Sequence, residues 1–273
     1  ARVVHEALAA HPGDVLVFLP GQREIAQVAT ALGGAVSDAE VLPLHGELPV
    51  EQQSRVLQPD PGGRRRVVLA TNVAESSVTL PGVRVVIDSG LAREPRYDPN
   101  SGFSRLQTVA IAQSSADQRA GRAGRVAAGW CYRLWPESQR LEPMRRAEIG
   151  QVELAGLALE LAAWGNPELR FPDPPPPGAL AAARDLLRAL GALADSGAPS
   201  AAGRRMLALG THPRLAAMLL AADPAQQALA CDLVALLEAR DPLRTRRDDL
   251  AARWQALAAF RAGRMAPDAH RAA

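Results

Sequence analysis

The sequence predicts an α/β fold in which a parallel sheet is covered by helices on both faces. Three short runs of branched apolar residues, at 15–19, 65–72 and 83–90, support this prediction. Each run is apolar at successive positions, and each stops at a polar or glycine-containing turn. Segments with helical spacing of apolar residues lie between the runs, which is typical of parallel strands connected by helices.

The carboxyl ends of these strands carry the first candidate site residues. Thr71 and Asn72 end the second run, and Asp88 and Ser89 end the third. Ligands of parallel α/β sheets gather at this edge, so we expect these side chains to lie near a binding site. The segment QREIAQVATAL after Gly21 predicts the helix that follows the first strand.

A change of pattern after residue 90 predicts a projecting element. The sequence LAREPRYDPNSGFSRLQTVAIA places a Pro-Asn-Ser-Gly turn between two segments with strand-like alternation. This pattern predicts a β-hairpin at 93–112 that projects from the sheet. A surface hairpin without function is the alternative to a working element. GWCYRLW at 129–135 then predicts the last strand of this domain.

The length of the chain predicts internal boundaries. A chain of 273 residues is long enough for two or three domains, because single cores stop growing at roughly 250 to 300 residues. Alanine- and leucine-rich helices dominate the second half, and PDPPPPG at 172–178 is predicted to be a stiff extended connector. We place a first domain at 1–140, a small mostly helical domain at 141–210 and a further helical segment at 211–273.

Composition excludes several classes of protein. The 31 basic residues, all arginine, oppose 29 acidic residues, and the formal charge of +2 excludes a highly basic nucleic-acid-binding tail. Cys131 and Cys231 lie far apart without metal-ligand spacing, so we predict ordinary thiols in a reducing compartment and no metal site. No uninterrupted apolar run approaches about 18 residues, and no basic leader is present, so we expect a cytoplasmic protein without membrane contact.

The segment SSADQRAGRAGR carries the clearest chemical signal. It presents Arg119, Arg122 and Arg125 at three-residue intervals, with Gly121 and Gly124 between them. On a helix these like charges repel, and each interior glycine costs about 1 kcal/mol relative to alanine. A sequence with both costs predicts an anionic ligand, because guanidinium groups suit phosphate oxygens. The alternative is a solvated charged face produced by drift toward alanine, glycine and arginine.

Four segments together resemble one family. QRAGRAGR resembles motif VI of the DEAH-box superfamily 2 helicases, VVLATNVAESSVTLPGVRVVIDSG resembles motif V with its following strand, and VLVFLPGQREI resembles motif IV. LPLHGELPVEQQSRVLQP is similar to the segment between motifs IV and V, and all four segments occur in the family's order. The pattern of the HrpB-like bacterial group continues through CYRLW, LAGLALELAAWG, THPRLAAMLL and LLEARDPL. The resemblance therefore covers nearly the whole chain.

The resemblance implies both an architecture and an activity. It implies that 1–140 is the second RecA-like lobe of a helicase motor, that 141–210 is a winged-helix domain, and that 211–273 begins a ratchet-like helical bundle. The implied activity is ATP-dependent nucleic-acid unwinding, with ATP and Mg²⁺ bound together with the first RecA-like lobe of the same protein. The implied partner is single-stranded nucleic acid, with RNA favoured over DNA.

The motif VI positions imply different roles for neighbouring residues. Arg122 and Arg125 match the arginine fingers that reach the γ-phosphate of the nucleotide. Gln118 matches the glutamine that helps to hold the attacking water or phosphate. Arg119 matches the first arginine of the motif, which in this family ties its helix to neighbouring acidic groups.

Three further positions are assigned to the nucleotide. Thr79 matches a residue near the ribose, and Asp88 is also assigned to nucleotide binding. Leu57 stands where eukaryotic relatives place an aromatic side chain against adenine. An aliphatic side chain at this position loses aromatic stacking, so we expect weak selectivity for the base. Pro81 stands where the family often has aspartate, which leaves one ribose contact open.

A second set is assigned to the nucleic-acid backbone. Its members are Thr71, Asn72, His45, Gly46 and Gly21. A strand-end cap is the alternative role for Thr71, and an ordinary turn residue is the alternative role for His45. The hairpin resembles the wedge that DEAH-box enzymes insert near a strand junction. The GRRR cluster at 63–66 is predicted to be a solvated start of a strand rather than a binding patch.

Two parts of an ATPase site are not encoded in this sequence. A Walker A loop needs a lysine that reaches the β- and γ-phosphates, and the sequence contains no lysine. It also contains no DEAH box, since PDAHRA lacks the preceding strand and the glutamate. The chain could be a fragment of a helicase, and the alternative is a stand-alone nucleic-acid-binding or adaptor module without turnover. A Gly-Lys-Thr loop and a DEAH box encoded upstream of Ala1 would favour the helicase.

We predict weak or undetectable binding of ATP to the chain in isolation. Arginine fingers act on a nucleotide that a phosphate-binding loop holds, and this sequence lacks that loop. Isothermal titration calorimetry with ATP measures the affinity directly. A dissociation constant in the micromolar range would contradict the prediction.

Overall fold

The structure is a computed structural model, and the chain divides into two compact units, Ala1–Val152 and Glu153–Ala273. The residues that the structure describes are 1–33, 36, 38–76, 78–98, 103–125, 127–166, 169–239 and 249–264. The first unit continues past residue 140, since the backbone N–H of Tyr97 donates to the carbonyl of Gln151 at 2.9 Å. The finer boundaries at 140 and 210 stay predictions.

A five-stranded parallel sheet forms the centre of the first unit. Its strands are β1 (Asp14–Phe18), β2 (Ala39–Leu44), β3 (Arg65–Ala70), β4 (Val83–Asp88) and β7 (Trp130–Arg133). They lie in the order β2-β3-β1-β4-β7, and every neighbouring pair is parallel. The predicted α/β fold with a parallel sheet is therefore confirmed. All residues of β1 are buried, which explains why its sequence is apolar at successive positions.

Helices cover both faces of this sheet. They are α1 (Arg2–Ala10), α2 (Gln22–Leu32), α3 (Val50–Leu57), the short α4 (Val73–Ser76) and α5 (Gln113–Gly121). Alternate strand residues point to opposite faces: Val15 and Val17 pack in the core with α1 and α2, whereas Leu16 and Phe18 pack in the core that contains Val56 of α3.

The predicted hairpin is present next to this sheet. Strands β5 (Leu91–Asp98) and β6 (Phe103–Ala110) pair antiparallel, with Leu91 opposite Ala110 and Asp98 opposite Phe103. The Pro-Asn-Ser-Gly turn lies outside the described residues. Residues 104–108 are exposed along β6, and Leu106 is 67% exposed. This exposure fits a hairpin that projects from the body of the unit.

The arginines at the start of β3 are structural, so the prediction of a solvated cluster is wrong for them. The Arg65 side chain donates to the carbonyls of Leu8, His11 and Gly13 at 2.7 to 2.9 Å, and so it holds the end of α1. Arg66 is only 2% exposed and is bound to Asp14. Backbone carbonyls and one carboxylate replace water around these guanidinium groups.

The second unit is helical. Its helices are α6 (Ala155–Trp164), α7 (Pro177–Ala189), α8 (Ala201–Leu209), α9 (Pro213–Ala221), α10 (Gln227–Glu238) and α11 (Leu250–Arg261). Within it, His212 caps α9 and its Nε2 lies 2.8 Å from the carboxylate of Glu153, whose other oxygen accepts from the N–H of Ala155 at the start of α6. Across the described ranges of both units, no helix has the length and apolar character needed to cross a membrane.

The proline-rich connector is shorter than predicted. Pro177 and Gly178 already belong to α7, because proline is tolerated at the first turn of a helix, where its missing N–H is not needed. Between α7 and α8 an antiparallel bridge joins Leu193 to Pro199. Whether these elements form a winged helix stays a prediction.

Candidate nucleotide and nucleic-acid site

The carboxyl edge of the sheet brings three predicted residues side by side. Strand β3 lies between β2 and β1, so Thr71 after β3 lies between His45 after β2 and Gly21 after β1. The Nε2 atom of Gln22, the first residue of α2, lies 3.2 Å from Nδ1 of His45. Gln22 could not be identified from the sequence, because a single polar residue at a helix start fits any exposed position.

His45 is held as a neutral hydrogen-bonding group. Burial lowers the pKa of its imidazole below the ordinary value, and the nearby carboxylate of Glu47 only partly opposes this. A neutral ring accepts at one nitrogen and donates at the other. His45 is therefore better suited to hydrogen bonding than to charge neutralisation. Gly46 next to it is exposed.

Thr71 does not act as a side-chain cap. Its backbone N–H donates to the carbonyl of Leu44 at 3.1 Å, and its carbonyl accepts from Ala74 at 3.2 Å, which opens α4. Its hydroxyl has no hydrogen-bond partner in the part of the chain that the structure describes. Asn72 beside it is exposed. The geometry leaves both side chains available to a ligand.

Gly21 is not exposed to a ligand in the way predicted. It is buried, and a Cβ atom added to it would lie 2.8 Å from Cζ of Arg93 on β5. The guanidinium group of Arg93 covers this glycine and lies 3.7 Å from the carboxylate of Glu24. Arg93, rather than Gly21, is therefore the residue exposed to a ligand at this end of β1. The sequence analysis assigned Arg93 no role.

We call the evenly spaced Arg119, Arg122 and Arg125 the arginine ladder. The three arginines of the ladder do not share one helix, contrary to the sequence prediction. Helix α5 ends at Gly121, and the chain continues in tighter turns, in which each N–H donates to the carbonyl three residues earlier. These bonds run from Arg122 to Arg119 at 3.0 Å and from Gly124 to Gly121 at 3.3 Å. Residues three apart lie above one another in such turns. The ladder therefore points in one direction, toward the motif V segment, defined here as residues 71–76 and 78–81.

Arg119 forms the buried base of the ladder. It is 1% exposed, and its Nε donates to the Glu75 carboxylate at 2.9 Å while Nη1 donates to Oδ1 of Asp88 at 3.0 Å. Its guanidinium also lies 4.7 Å from the ring centroid of Phe18. The prediction that this arginine ties its helix to acidic neighbours is confirmed.

Arg122 is bound by backbone carbonyls. Its side chain donates to the carbonyl oxygens of Glu75, at 2.9 Å from Nε, and of Val78. Only 6% of the residue is exposed, and burial, followed by the neighbouring charge of Arg125, lowers the pKa of its guanidinium. In this structure the residue is bound to the motif V segment, and the finger role that the resemblance implied stays a prediction.

Arg125 is the exposed end of the ladder. Its Nη1 donates to Oγ1 of Thr79 at 3.4 Å, a long hydrogen bond, and both residues are exposed. Gln118 is also exposed on α5. A Cβ atom added at Gly121 would meet no described neighbour within 4 Å, so the ladder leaves open space beside it.

Asp88 is buried beneath the ladder rather than open to a nucleotide. It is 1% exposed, and its Oδ1 accepts from both Arg119 and the N–H of Gly90. Burial raises the pKa of its carboxyl above the ordinary value, although Arg119 and Gly90 pull it down. We therefore revise its nucleotide-binding assignment, because direct contact would require it to leave Arg119. Leu57, by contrast, is half-buried at the end of α3.

The described side chains do not assemble a metal site. In the ranges given above, no group of three or more His, Cys, Asp or Glu residues could hold a metal ion. The carboxylates nearest to the ladder, Glu75 and Asp88, are occupied by Arg119. These residues consequently do not fit Mg²⁺ on their own.

The comparisons with known proteins agree with the fold. Residues 1–127 match the family model of the helicase conserved C-terminal domain. Over 90% of its length the chain is 42% identical to the ATP-dependent RNA helicase HrpB of Escherichia coli strain K12. The resemblance to HrpB-like DEAH-box helicases that the motifs indicated is thereby confirmed.

Two solved structures are similar over almost the whole chain. The crystal structure of the E. coli DExH-box NTPase HrpB matches 93% of the chain with a TM-score of 0.82 and 41% identity. The crystal structure of the Escherichia coli DEAH/RHA helicase HrpB matches 96% with a TM-score of 0.85 and 38% identity. This chain spans about a third of each relative, covering 31% of the helicase sequence and 32% and 35% of the two solved chains.

We predict that Arg119→Lys destabilises the first unit by about 1–3 kcal/mol, because the charge is kept but a buried carboxylate oxygen loses its hydrogen-bond donor. A lysine lacks the planar fork that reaches Glu75 and Asp88 together. Urea unfolding monitored by tryptophan fluorescence measures the change. Arg133→Lys is the matched control, since its ion pair with Asp117 is exposed and we expect a change of at most about 0.5 kcal/mol. Equal effects of the two substitutions would contradict the assignment.

Proposed function

We propose that this chain is the C-terminal portion of an ATP-dependent nucleic-acid helicase and that it acts on RNA in the cytoplasm. The observation that supports this most is the exposed Arg125 beside Thr79, held at the end of a ladder whose other arginines are buried. An exposed guanidinium on such a rigid base is suited to an anionic ligand that approaches from outside. The similarity to a relative named an ATP-dependent RNA helicase supports the choice of ligand and of substrate.

The ladder assigns separate tasks to its three arginines. Arg119 fixes the end of α5 to Asp88 and to the side chain of Glu75, so the position of the ladder does not depend on solvent. Arg122 binds the carbonyls of the motif V segment and can release them to reach a phosphate. Arg125 remains available and delivers its charge to the phosphoryl group as negative charge develops.

ATP would supply the phosphoanhydride bond whose hydrolysis drives the motor. The residues of this chain fit only one side of the nucleotide. Arg125, Thr79, Gln118 and Leu57 would face the nucleotide, with Arg122 joining them after leaving its carbonyls. Mg²⁺ and the phosphate loop would come from the first RecA-like lobe. We infer that this lobe is the obligatory partner and that the chain alone does not turn over ATP.

The carboxyl edge is the proposed track for single-stranded nucleic acid. The hydroxyl of Thr71, the amide of Asn72 and the Gln22–His45 pair supply neutral hydrogen-bonding groups, and Arg93 adds one positive charge. Such groups suit phosphate and sugar contacts that carry no sequence information. The motif V segment contributes to both sites, since it contains Thr71 and Asn72 and also touches all three arginines. The state of the bound nucleotide and the binding of nucleic acid are therefore coupled through the backbone of the motif V segment.

We extend the proposal to the helices of the second unit. The bridge between Leu193 and Pro199, flanked by helices α7 and α8, is compatible with the small wing of a winged-helix domain at 141–210. Helices α9, α10 and α11 would then begin a ratchet-like bundle at 211–273. The β5–β6 hairpin, with its exposed outer strand, is the candidate wedge.

A stand-alone nucleic-acid-binding or adaptor module remains the second candidate, and one observation favours it. A scaffold without ATP turnover has no use for two arginine fingers, so a finger role for both Arg122 and Arg125 would speak against this candidate. Arg122 now has a structural use, because it binds the carbonyls of Glu75 and Val78. Arg125 alone separates the two candidates.

We predict that Arg125→Ala, in the full-length protein that joins this chain to a first lobe, lowers ATP turnover by roughly 10³-fold or more, the size of an arginine-finger effect. The melting temperature should not change, since Arg125 is exposed. Steady-state ATPase assays with matched RNA and DNA strands measure both the effect and the substrate preference, which we expect to favour RNA.

Arg188→Ala supplies the control, because Arg188 is an exposed arginine of the second unit whose ion pair is with Asp185. Turnover of Arg125→Ala within twofold of the parent would overturn the finger assignment. A full-length protein that binds RNA without any turnover would support the adaptor module.

A further inference from the structure

Arg66 lies at the amino end of β3, far along the sheet from the strand ends that carry the nucleic-acid set. Its Nε and Nη2 atoms lie 2.8 and 2.6 Å from the same oxygen of Asp14, and its backbone N–H donates to the other oxygen at 2.9 Å. The pair is almost completely buried. A buried pair of this kind needs further hydrogen bonds to offset its desolvation.

Those further bonds all go to two segments of backbone. Nη1 donates to the carbonyl of Val56 at 3.1 Å and to that of Gln58, and Nη2 donates to the carbonyl of Pro81 at 2.6 Å. Together with the hydrogen bond of Nε and the ion pair of Nη2 with Asp14, all three nitrogens of the guanidinium have partners. Arg66 therefore acts as a clamp between the end of α3 and the motif V segment.

The two clamped segments carry two of the residues assigned to the nucleotide. Val56 and Gln58 flank Leu57, and they lie at the end of α3, where carbonyls lack partners within the helix. Pro81 follows Thr79 by two residues. Leu57 and Thr79 come from different parts of the sequence, and Arg66 is bound to the backbone beside both.

Gly82 makes the clamp possible. Its φ of +87° lies in the left-handed region, and a Cβ atom there would lie 2.9 Å from Oδ2 of Asp14. The carbonyl of Gly82 also accepts from the N–H of Asp14 at 2.9 Å. Only glycine allows the backbone after Pro81 to lie this close to the ion pair.

We propose that Arg66 is a positioning residue for the nucleotide, which sets the separation of Leu57 and Thr79 through its bonds to Val56, Gln58 and Pro81. The inference rests on the nucleotide roles given to Leu57 and Thr79 in the proposed function. Arg66 touches no reacting group, so its effect falls on nucleotide affinity rather than on the chemical step.

The neighbouring arginine provides a matched control. Arg65 also binds three backbone carbonyls, but those of Leu8, His11 and Gly13, so it holds α1 instead. Arg65→Lys and Arg66→Lys make the same chemical change on adjacent residues of one strand. Both keep the charge and lose the planar fork.

Hydrogen–deuterium exchange on the chain itself tests the clamp without any nucleotide. Arg66→Lys should speed exchange in the last turn of α3 and at the start of β4 by about fivefold, as expected for the loss of one hydrogen bond. Arg65→Lys should speed exchange in the last turn of α1 instead. Exchange that is unchanged in α3 and β4, or that rises equally throughout the unit, would overturn the clamp.

Kinetics of the full-length protein test the consequence. Arg66→Lys should raise the KM for ATP about five- to tenfold, the effect of roughly one lost contact, with kcat within about twofold of the parent. Arg65→Lys should change neither constant. Asp14→Asn, which weakens the pair and keeps the guanidinium, should give a smaller rise in KM and serves if Arg66→Lys does not fold.

The outcomes separate this inference from the proposed function. An active parent whose KM is unaffected by Arg66→Lys and Asp14→Asn overturns the positioning role alone. A parent without ATP turnover overturns the proposed function, and with it the nucleotide role of Arg66, while the exchange experiment still decides whether the clamp exists.

Discussion

The buried ion pair of Arg119 with Asp88 and Glu75 is the constraint on which the candidate site depends. Asp88 ends a central strand and Glu75 lies in the motif V segment, so one guanidinium joins the sheet, α5 and that segment. Arg122 and Arg125 follow at one turn each, and their direction is fixed by the residue beneath them. A solvated arginine at position 119 would leave the two others without a defined direction.

A second buried arginine performs the corresponding task at the opposite edge of the sheet. Arg66, paired with Asp14, binds the carbonyl of Pro81 in the motif V segment, whereas Arg119 binds the carboxylate of Glu75 in the same segment. The motif V segment is thus anchored at Glu75 and at Pro81 by guanidinium groups that are almost completely buried. Exposed Thr79 lies between these anchors, and exposed Asn72 precedes them. A segment anchored in this way can change its contacts with Arg122 without losing its place in the fold.

Much of the fold could be predicted from the sequence, because strands buried on both faces leave a local signal. The runs around Val15, Val67 and Val85 contain several apolar residues in succession, and each of them forms a parallel strand. Residues that depend on distant partners were harder to predict. The burial of Arg66 requires Asp14, which is 52 residues away, and the cover that Arg93 places over Gly21 follows from the path of the hairpin.

The candidate site, like the fold, could be predicted from the sequence only in part. Spacing and resemblance located Arg119 and correctly assigned it to acidic partners. Spacing and resemblance did not locate the end of α5 at Gly121, because a glycine lowers helix stability but does not determine which residue is the last of the helix. They also gave Asp88 a ligand role, since a carboxylate at a strand end has the same appearance in sequence whether it binds a nucleotide or an internal arginine.

The most direct test of this account is a double-mutant cycle between Arg119 and Glu75, measured by urea unfolding of Arg119→Met, Glu75→Gln and the double variant. If the ladder is anchored as described, the two substitutions are strongly non-additive, with a coupling free energy of about 1–3 kcal/mol. Additive effects, with a coupling within about 0.3 kcal/mol of zero, would show that Arg119 does not hold the motif V segment and would contradict the account.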